Sequence, residues 1–288
     1  MLASAKVAPT MTGFEHLLLR VSGLLVPLAA VPWVIALVGV PVGWWEPEGR
    51  WTVYLVCTLL AVMGARRWAL AVRERFIREA PLPQLLKRKL RDTYPLLSPK
   101  DADLVERGLR QFFMACLRSD KHFVAMPSRA VDALWNAFSQ IPQAYQHWCQ
   151  NALGYVPEHS PAQVLGKKAH HNDGLRRAWY WACKDEAIHP RLPSRLPLLF
   201  ALDTKLAIPD GFHYAPGSQG IAKPDGHHRP AGTPYFGTDF SDSNFTGNFL
   251  DFGGAEPARR KTSGSDGGDS GFGDDGDSGD GGSDGGGD

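Results

Sequence analysis

Hydrophobic positions along the chain fall first into two unbroken blocks and then into a helical rhythm. Leu24 to Val42 and Trp51 to Ala65 are apolar runs only eight residues apart, and the basic residues Arg66, Arg67, Arg73, Arg75 and Arg78 follow at once. The first run has no charged residue from Val21 to Trp45. At about 1.5 Å per residue that is enough helix to cross a hydrocarbon core of about 30 Å. The second offers about fifteen residues before Arg66, fewer than the roughly 20 a span needs. Snorkelling of Arg66 and Arg67 extends it, because Trp68, Ala69, Leu70 and Ala71 continue the apolar surface. Trp44, Trp45, Trp51 and Tyr54 flank the turn, with Trp68 at the far end, as interfacial aromatic belts do. The pattern predicts a two-helix transmembrane hairpin over residues 21–72.

The flanking charges orient it. Lys6 and Arg20 precede the first run and a basic cluster follows the second, whereas the connecting loop sets Glu46 and Glu48 against Arg50. The positive-inside tendency then puts both termini in the cytoplasm and the hairpin in the inner membrane, with residues 1–20 as a cytoplasmic segment. The apolar run exceeds a typical signal-peptide core and Glu15 interrupts the basic segment before it, so an uncleaved anchor is expected.

Beyond the hairpin the rhythm is that of a small all-α domain. A basic juxtamembrane segment, 73–95, leads into a cytoplasmic helical domain, 96–215. Pro81 and Pro83 introduce a helix from Gln84 to Asp92. Ser98, Pro99 and Asp101 form a capping box that opens a helix to about Ser119, with Leu104, Val105, Leu109, Phe112, Phe113 and Cys116 on its apolar side. Further starts are read at Ser128, Pro142, Ser160 with Pro161, and Asn172 with Asp173, with stops at Gly154 and Gly166. Alternating strand patterns are absent.

Charge changes this picture in one respect. The net charge of +1 hides a basic body and an acidic end: residues 73–215 carry 21 Lys and Arg against 14 Asp and Glu, and residues 216–288 carry 5 against 13. From Thr262 onward the chain is almost wholly Gly, Asp and Ser, which buries too little surface to offset its ordering entropy, so residues 216–288 are expected to be a disordered Gly/Asp-rich tail. Neither an EF-hand loop nor a β-roll pattern supports a calcium site there. The basic residues Arg66, Arg67, Arg73, Arg75, Arg78, Lys87, Arg88, Lys89 and Arg91 lie beside the membrane. Anionic lipid is therefore their expected partner, at about 1 kcal/mol each, and nucleic acid is not.

Chemistry concentrates between Met126 and Pro161. Asp132, Trp135 and Asn136 share a face of one helix, Tyr145 and Cys149 share a face of the next, and His159 lies in the following loop. If the helices pack antiparallel, a carboxylate, an amide, a phenol, a thiol and an imidazole converge, a set able to hold a metal or to organise acid and base chemistry. The competing reading is a structural network in which Asp132 favours a helix N-terminus and the aromatic residues are core. Cys57, Cys116, Cys149 and Cys183 are scattered without a C-x-x-C pair, and reduced thiols are expected. The pairs His170–His171 and His227–His228 lie in expected loops, and the familiar phosphate-binding, nucleophile-elbow and zinc-protease motifs do not occur.

The string MPSRAVDALW, followed by Tyr145, Cys149, Gly154, His159 and Pro161 and then by GLRRAWYWACKDEAI and RLPLLFALDTKLAIPDGFHY, resembles an uncharacterised bacterial family related to the plant glycine-rich-domain-containing proteins. The resemblance covers about Leu82 to Tyr214. It implies a helical domain with a Gly-rich tail and no established reaction. Members of that family show Trp-His where this chain has Trp135 and Asn136, and an amide is a poor ligand for zinc-like ions. Neither a metal nor another cofactor is expected. The favoured expectation is a membrane-anchored binding or scaffolding module with an unknown protein partner, whose acidic tail masks a basic surface. The alternative is a membrane-tethered enzyme, metal-dependent or not, that uses Asp132, Cys149 and His159.

Overall fold

The computed structural model of the chain describes residues 12–21, 23–42, 49–162, 169–216 and 235–236. The tail expected over 216–288 lies outside these residues apart from Ala215's neighbour Pro216 and positions 235–236, as do Gly166, His227 and His228.

The apolar runs become helices of unequal length. The helix α1 (Gly13–Val21) is followed by α2 (Leu25–Gly39), an apolar helix of 15 residues with Pro32 inside it, and then by α3 (Arg50–Glu79), a continuous helix of 30 residues. Of the described helices only α3 is long and apolar enough to cross a membrane. The expected order of strength is therefore reversed: the first run is the short one. α2 runs through Pro27 and Pro32 and ends at the turn beginning at Val40, ahead of Pro41, whereas Arg66 to Glu79 contains neither Pro nor Gly. α3 stops where Ala80 turns extended ahead of Pro81.

α3 runs unbroken across the boundary expected near residue 72. The last turns of α3 are part of the domain, since Ile77 is fully buried in the same core as Leu82, Leu86 and Leu90. The basic segment 73–95 is thus an integral part of the fold. α4 (Gln84–Thr93) packs on α5 (Pro99–Arg118) and α6 (Arg129–Ser139) through Leu86 and Leu90, while Lys87 on its outer side meets Asp103 and Glu106 of α5.

α5 is the central helix. Its capping box forms as the sequence predicts: Ser98 accepts from the Asp101 amide and the Asp101 carboxylate accepts from the Ser98 amide. Every residue from Gln111 to Leu117 is buried, which requires neighbours on all sides. They are α3, α4, α6, α8 (Ala169–Asp185) and α9 (Leu198–Lys205). Gly108 lets α9 approach: a Cβ there would lie 2.3 Å from a Leu202 methyl and 3.0 Å from one of Val131. Beside this core α7 (Pro142–Ala152) packs on α3 and α6, with Trp148 against Phe113 and Phe76. Two short strands, β1 (Tyr214–Ala215) and β2 (Tyr235–Phe236), pair in parallel. The described structure is otherwise helical, as expected. α8 begins at Ala169, ahead of the start read at Asn172 and Asp173, and the start read at Ser160 leads into residues 163–168, which are not described.

α1 lies against the second half of α3. Leu19 packs with Ala69 and Val72, Phe14 with Trp68, and Glu15 faces Arg75 at 3.7 Å.

Candidate functional site

The start of α6 gathers most of the polar residues that stand out in the sequence. Ser128, in extended conformation, caps the helix by accepting from the Val131 amide. Its hydroxyl in turn donates to Asp203 of α9 at 2.6 Å, and the Asp203 carboxylate also accepts from the amides of Arg129, Ala130 and Phe212. Each Asp203 oxygen thereby receives two donors, and the residue is only 1% exposed. Tyr214 closes the arrangement by donating to the Pro127 carbonyl at 2.9 Å. A carboxylate over the first amides of a helix is well placed for the helix dipole, and four hydrogen bonds offset the cost of burying its charge.

Asp132 sits one turn further along. Its Oδ1 is 2.9 Å from His159 Nε2, with about a fifth of each side chain exposed. This contact makes Nε2 the protonated nitrogen and leaves Nδ1 for any other partner. The His159 ring stands edge-on to Trp135 at 4.8 Å. The loop that carries His159 is held by Tyr145, which accepts from Trp135 Nε1 at 3.0 Å and donates to the Pro157 carbonyl at 2.7 Å. Gly154 starts that loop at φ +80, where its amide bonds back to Cys149 and Gln150 at the end of α7.

The expected constellation is thus only partly assembled. Asp132, Trp135, Tyr145 and His159 meet. Asn136 is exposed, and Cys149 is completely buried behind Tyr145. Burial pushes the Cys149 thiol up to about 12, with the neighbouring Tyr145 hydroxyl acting in the opposite direction, so it stays protonated and is no nucleophile at neutral pH. Burial also pushes up Cys116 and the Tyr145 hydroxyl. What remains open to a ligand is one carboxylate-oriented imidazole. Among the described residues no three His, Cys, Asp or Glu side chains are grouped closely enough to hold a metal ion.

The residues expected to face lipid divide as well. Arg66, Arg67, Arg75, Arg78, Arg88 and Arg91 are exposed. Arg73 is a correction: it is 8% exposed, and its guanidinium reaches the Gln150 and Asn151 carbonyls at the end of α7. A cation over the last carbonyls of a helix is a favourable C-terminal partner, and desolvation there lowers its pKa. Arg78 pairs with Asp185 at 2.7 Å, Lys87 with Asp103 and Glu106, and Lys89 with Gln140. A helix turns about 100° per residue, so a basic run on α3 cannot keep all its charges on one side.

Asp203 was not among the residues singled out from the sequence. Its signal was present: in LLFALDTK it shares a helical face with Leu199 and Phe200, and a carboxylate on an apolar face must find partners inside.

A family model matches residues 72–240, well over half of the chain. The chain belongs to the UCP032817-like family. The matched region starts in the last turns of α3 and takes in the whole helical domain, so the UCP032817-like segment coincides with the core built around α5. The family is uncharacterised. No curated protein and no solved structure matches the chain.

Proposed function

We propose that this member of the UCP032817-like family is a membrane-anchored binding or scaffolding module. The observation that carries the reading is α3 itself. Its first half exposes Val53, Leu55, Val56, Leu59, Leu60 and Met63, while its last turns are built into the domain core, so any surface that takes up the apolar half holds the domain rigidly. α2, alongside α3, supplies the second arm of the proposed hairpin, with both termini cytoplasmic and the exposed arginines near anionic lipid. The aspartates after Thr262 are the counter-charge we assign to masking the basic surface, and the Gly-rich composition of that end underlies a proposed relationship to the glycine-rich-domain-containing proteins.

Reporter fusions test the anchor and its orientation. We expect alkaline phosphatase to be active when fused at Glu48 and inactive when fused after Arg78. The opposite pattern overturns the orientation, and activity at neither point overturns the hairpin.

One observation favours a second reading, an enzyme that works at Asp132 and His159: the 2.9 Å contact orients an imidazole at a partly open position. Cys149 has no accessible thiol to contribute to it.

A further inference from the structure

The domain also has an open groove of about 720 Å³, lined by neither Asp132 nor His159 and within the roughly 300 to 1,000 Å³ common for small-molecule sites. It is framed by the end of α3, the outer face of α5, the end of α8 and the side of α9. Five cations line it, Arg78, Arg107, Arg110, Arg195 and Lys205, against two carboxylates, Asp185 and Glu186.

The carboxylates are already matched. Asp185 takes Arg78 at 2.7 Å and Arg118 at 3.7 Å, and Glu186 accepts from Arg195, Gln111 and the Leu198 amide at the start of α9. Arg110 is matched too, by Glu106 and by the carbonyls of Ile77 and Ala80. Arg107 and Lys205 remain, both exposed and neither in an ion pair among the described residues. Two cations without an ion pair at one groove, Lys205 with only the Asp101 carboxylate in electrostatic range, suit a phosphate monoester, which carries about −1.5 to −2 near neutrality, or a carboxylate.

The rest of the lining decides what kind of molecule carries the anion. Ile77, Leu104, Met114, Leu196, Leu198 and Ala201 are all aliphatic or thioether side chains, and among the described residues no aromatic ring lines the groove. A nucleobase or another flat ring would find nothing to stack on. A flexible hydrocarbon chain is a better match to such walls, and Met114 can adapt to it.

We infer that this groove binds an anionic aliphatic amphiphile, its headgroup held by Arg107 and Lys205 and its chain laid against Leu104, Leu196, Leu198 and Ala201. The inference rests on the binding-module reading and gives that module a ligand class. It fails separately from the topology, because the fusion assay and a ligand titration share no readout.

Decyl phosphate titrated calorimetrically into the full chain in phosphatidylcholine nanodiscs, with empty nanodiscs as the blank, tests it. We expect saturable binding of one molecule per chain, at least ten-fold tighter than either inorganic phosphate or decanol. The double substitution Arg107→Gln with Lys205→Gln is expected to weaken it at least ten-fold without moving the melting temperature, since both side chains are exposed. Ala201→Trp, which fills the groove, is expected to do the same. No saturable signal above the blank, phosphate binding as tightly as decyl phosphate, or an unchanged affinity in the double variant would each overturn the inference.

Discussion

Two carboxylates serve the start of α6 in opposite surroundings. Asp203 arrives from 75 residues away, is 1% exposed and has both oxygens saturated by four donors. Asp132 belongs to the helix itself, is about one-fifth exposed and meets a single histidine. The difference separates a fastening from a site. A buried carboxylate with every lone pair engaged has nothing left for a ligand, and its removal strands its donors. A half-open carboxylate–imidazole pair costs little to disturb and keeps a ring nitrogen for another partner.

The comparison breaks most directly at Asp203. Asp203→Ala leaves the Ser128 hydroxyl and the amides of Arg129, Ala130 and Phe212 without their acceptor inside the core. We expect a loss of about 3 to 5 kcal/mol, the usual range when one partner of a buried charged network is removed. Denaturant unfolding of the full chain in nanodiscs, followed by tryptophan fluorescence, measures it. A loss no larger than that of Asp132→Ala would erase the distinction between the two carboxylates.

How far each was legible in the sequence follows from the range of its contacts. The caps at Ser98 and Ser128, the entry at Pro142 and the stop at Gly154 rest on bonds within a few residues, and all were readable. So was the buried face of α5, which periodicity exposes. Asp132 and His159 meet as the two-helix packing implied, because 27 residues of helix, turn and helix leave little freedom. Gln150 and Asn151, which Arg73 reaches, and three of the four Asp203 donors lie more than 70 residues away in sequence, and no local pattern encodes which carbonyl or amide a side chain will meet across the fold. The length of α3 was obscured for another reason: a run of arginines reads as a membrane boundary, yet Arg is a good helix former and does not end a helix.

The inner edge of the open cluster is sharpened by pH. Burial raises the Cys149 thiol to about 12, and Cys183 is raised to about 12 by burial together with Glu186. In the unfolded chain both ionise near the ordinary cysteine value of about 8.5. Between these limits the unfolded state binds fewer protons, so stability is intact below about pH 8.5 and falls as pH rises toward 12, by up to about 1.4 kcal/mol per pH unit for each thiol. Unfolding curves at pH 8 and pH 10 should show that loss, and Cys149→Ala should remove part of it. An unchanged pH slope in this variant would place Cys149 in the open cluster with Asp132 and His159.

The smallest expected effect is the most informative about the site. Asp132→Ala removes a carboxylate from the first turn of α6, worth about 0.3 to 1 kcal/mol with the helix dipole, as well as its contact with His159. His159→Ala removes the same contact and the edge-on packing on Trp135, worth about 0.5 to 1.5 kcal/mol. Each single substitution should therefore cost about 1 kcal/mol. Because solvent reaches both side chains, the coupling in a double-mutant cycle should be only about 0.5 kcal/mol. A coupling of about 2 kcal/mol or more would make the pair a second fastening like Asp203. If instead both variants unfold like the parent and lose a binding or catalytic activity of the full chain, Asp132 and His159 are held together for a ligand, and the acid–base reading of the pair replaces the structural one.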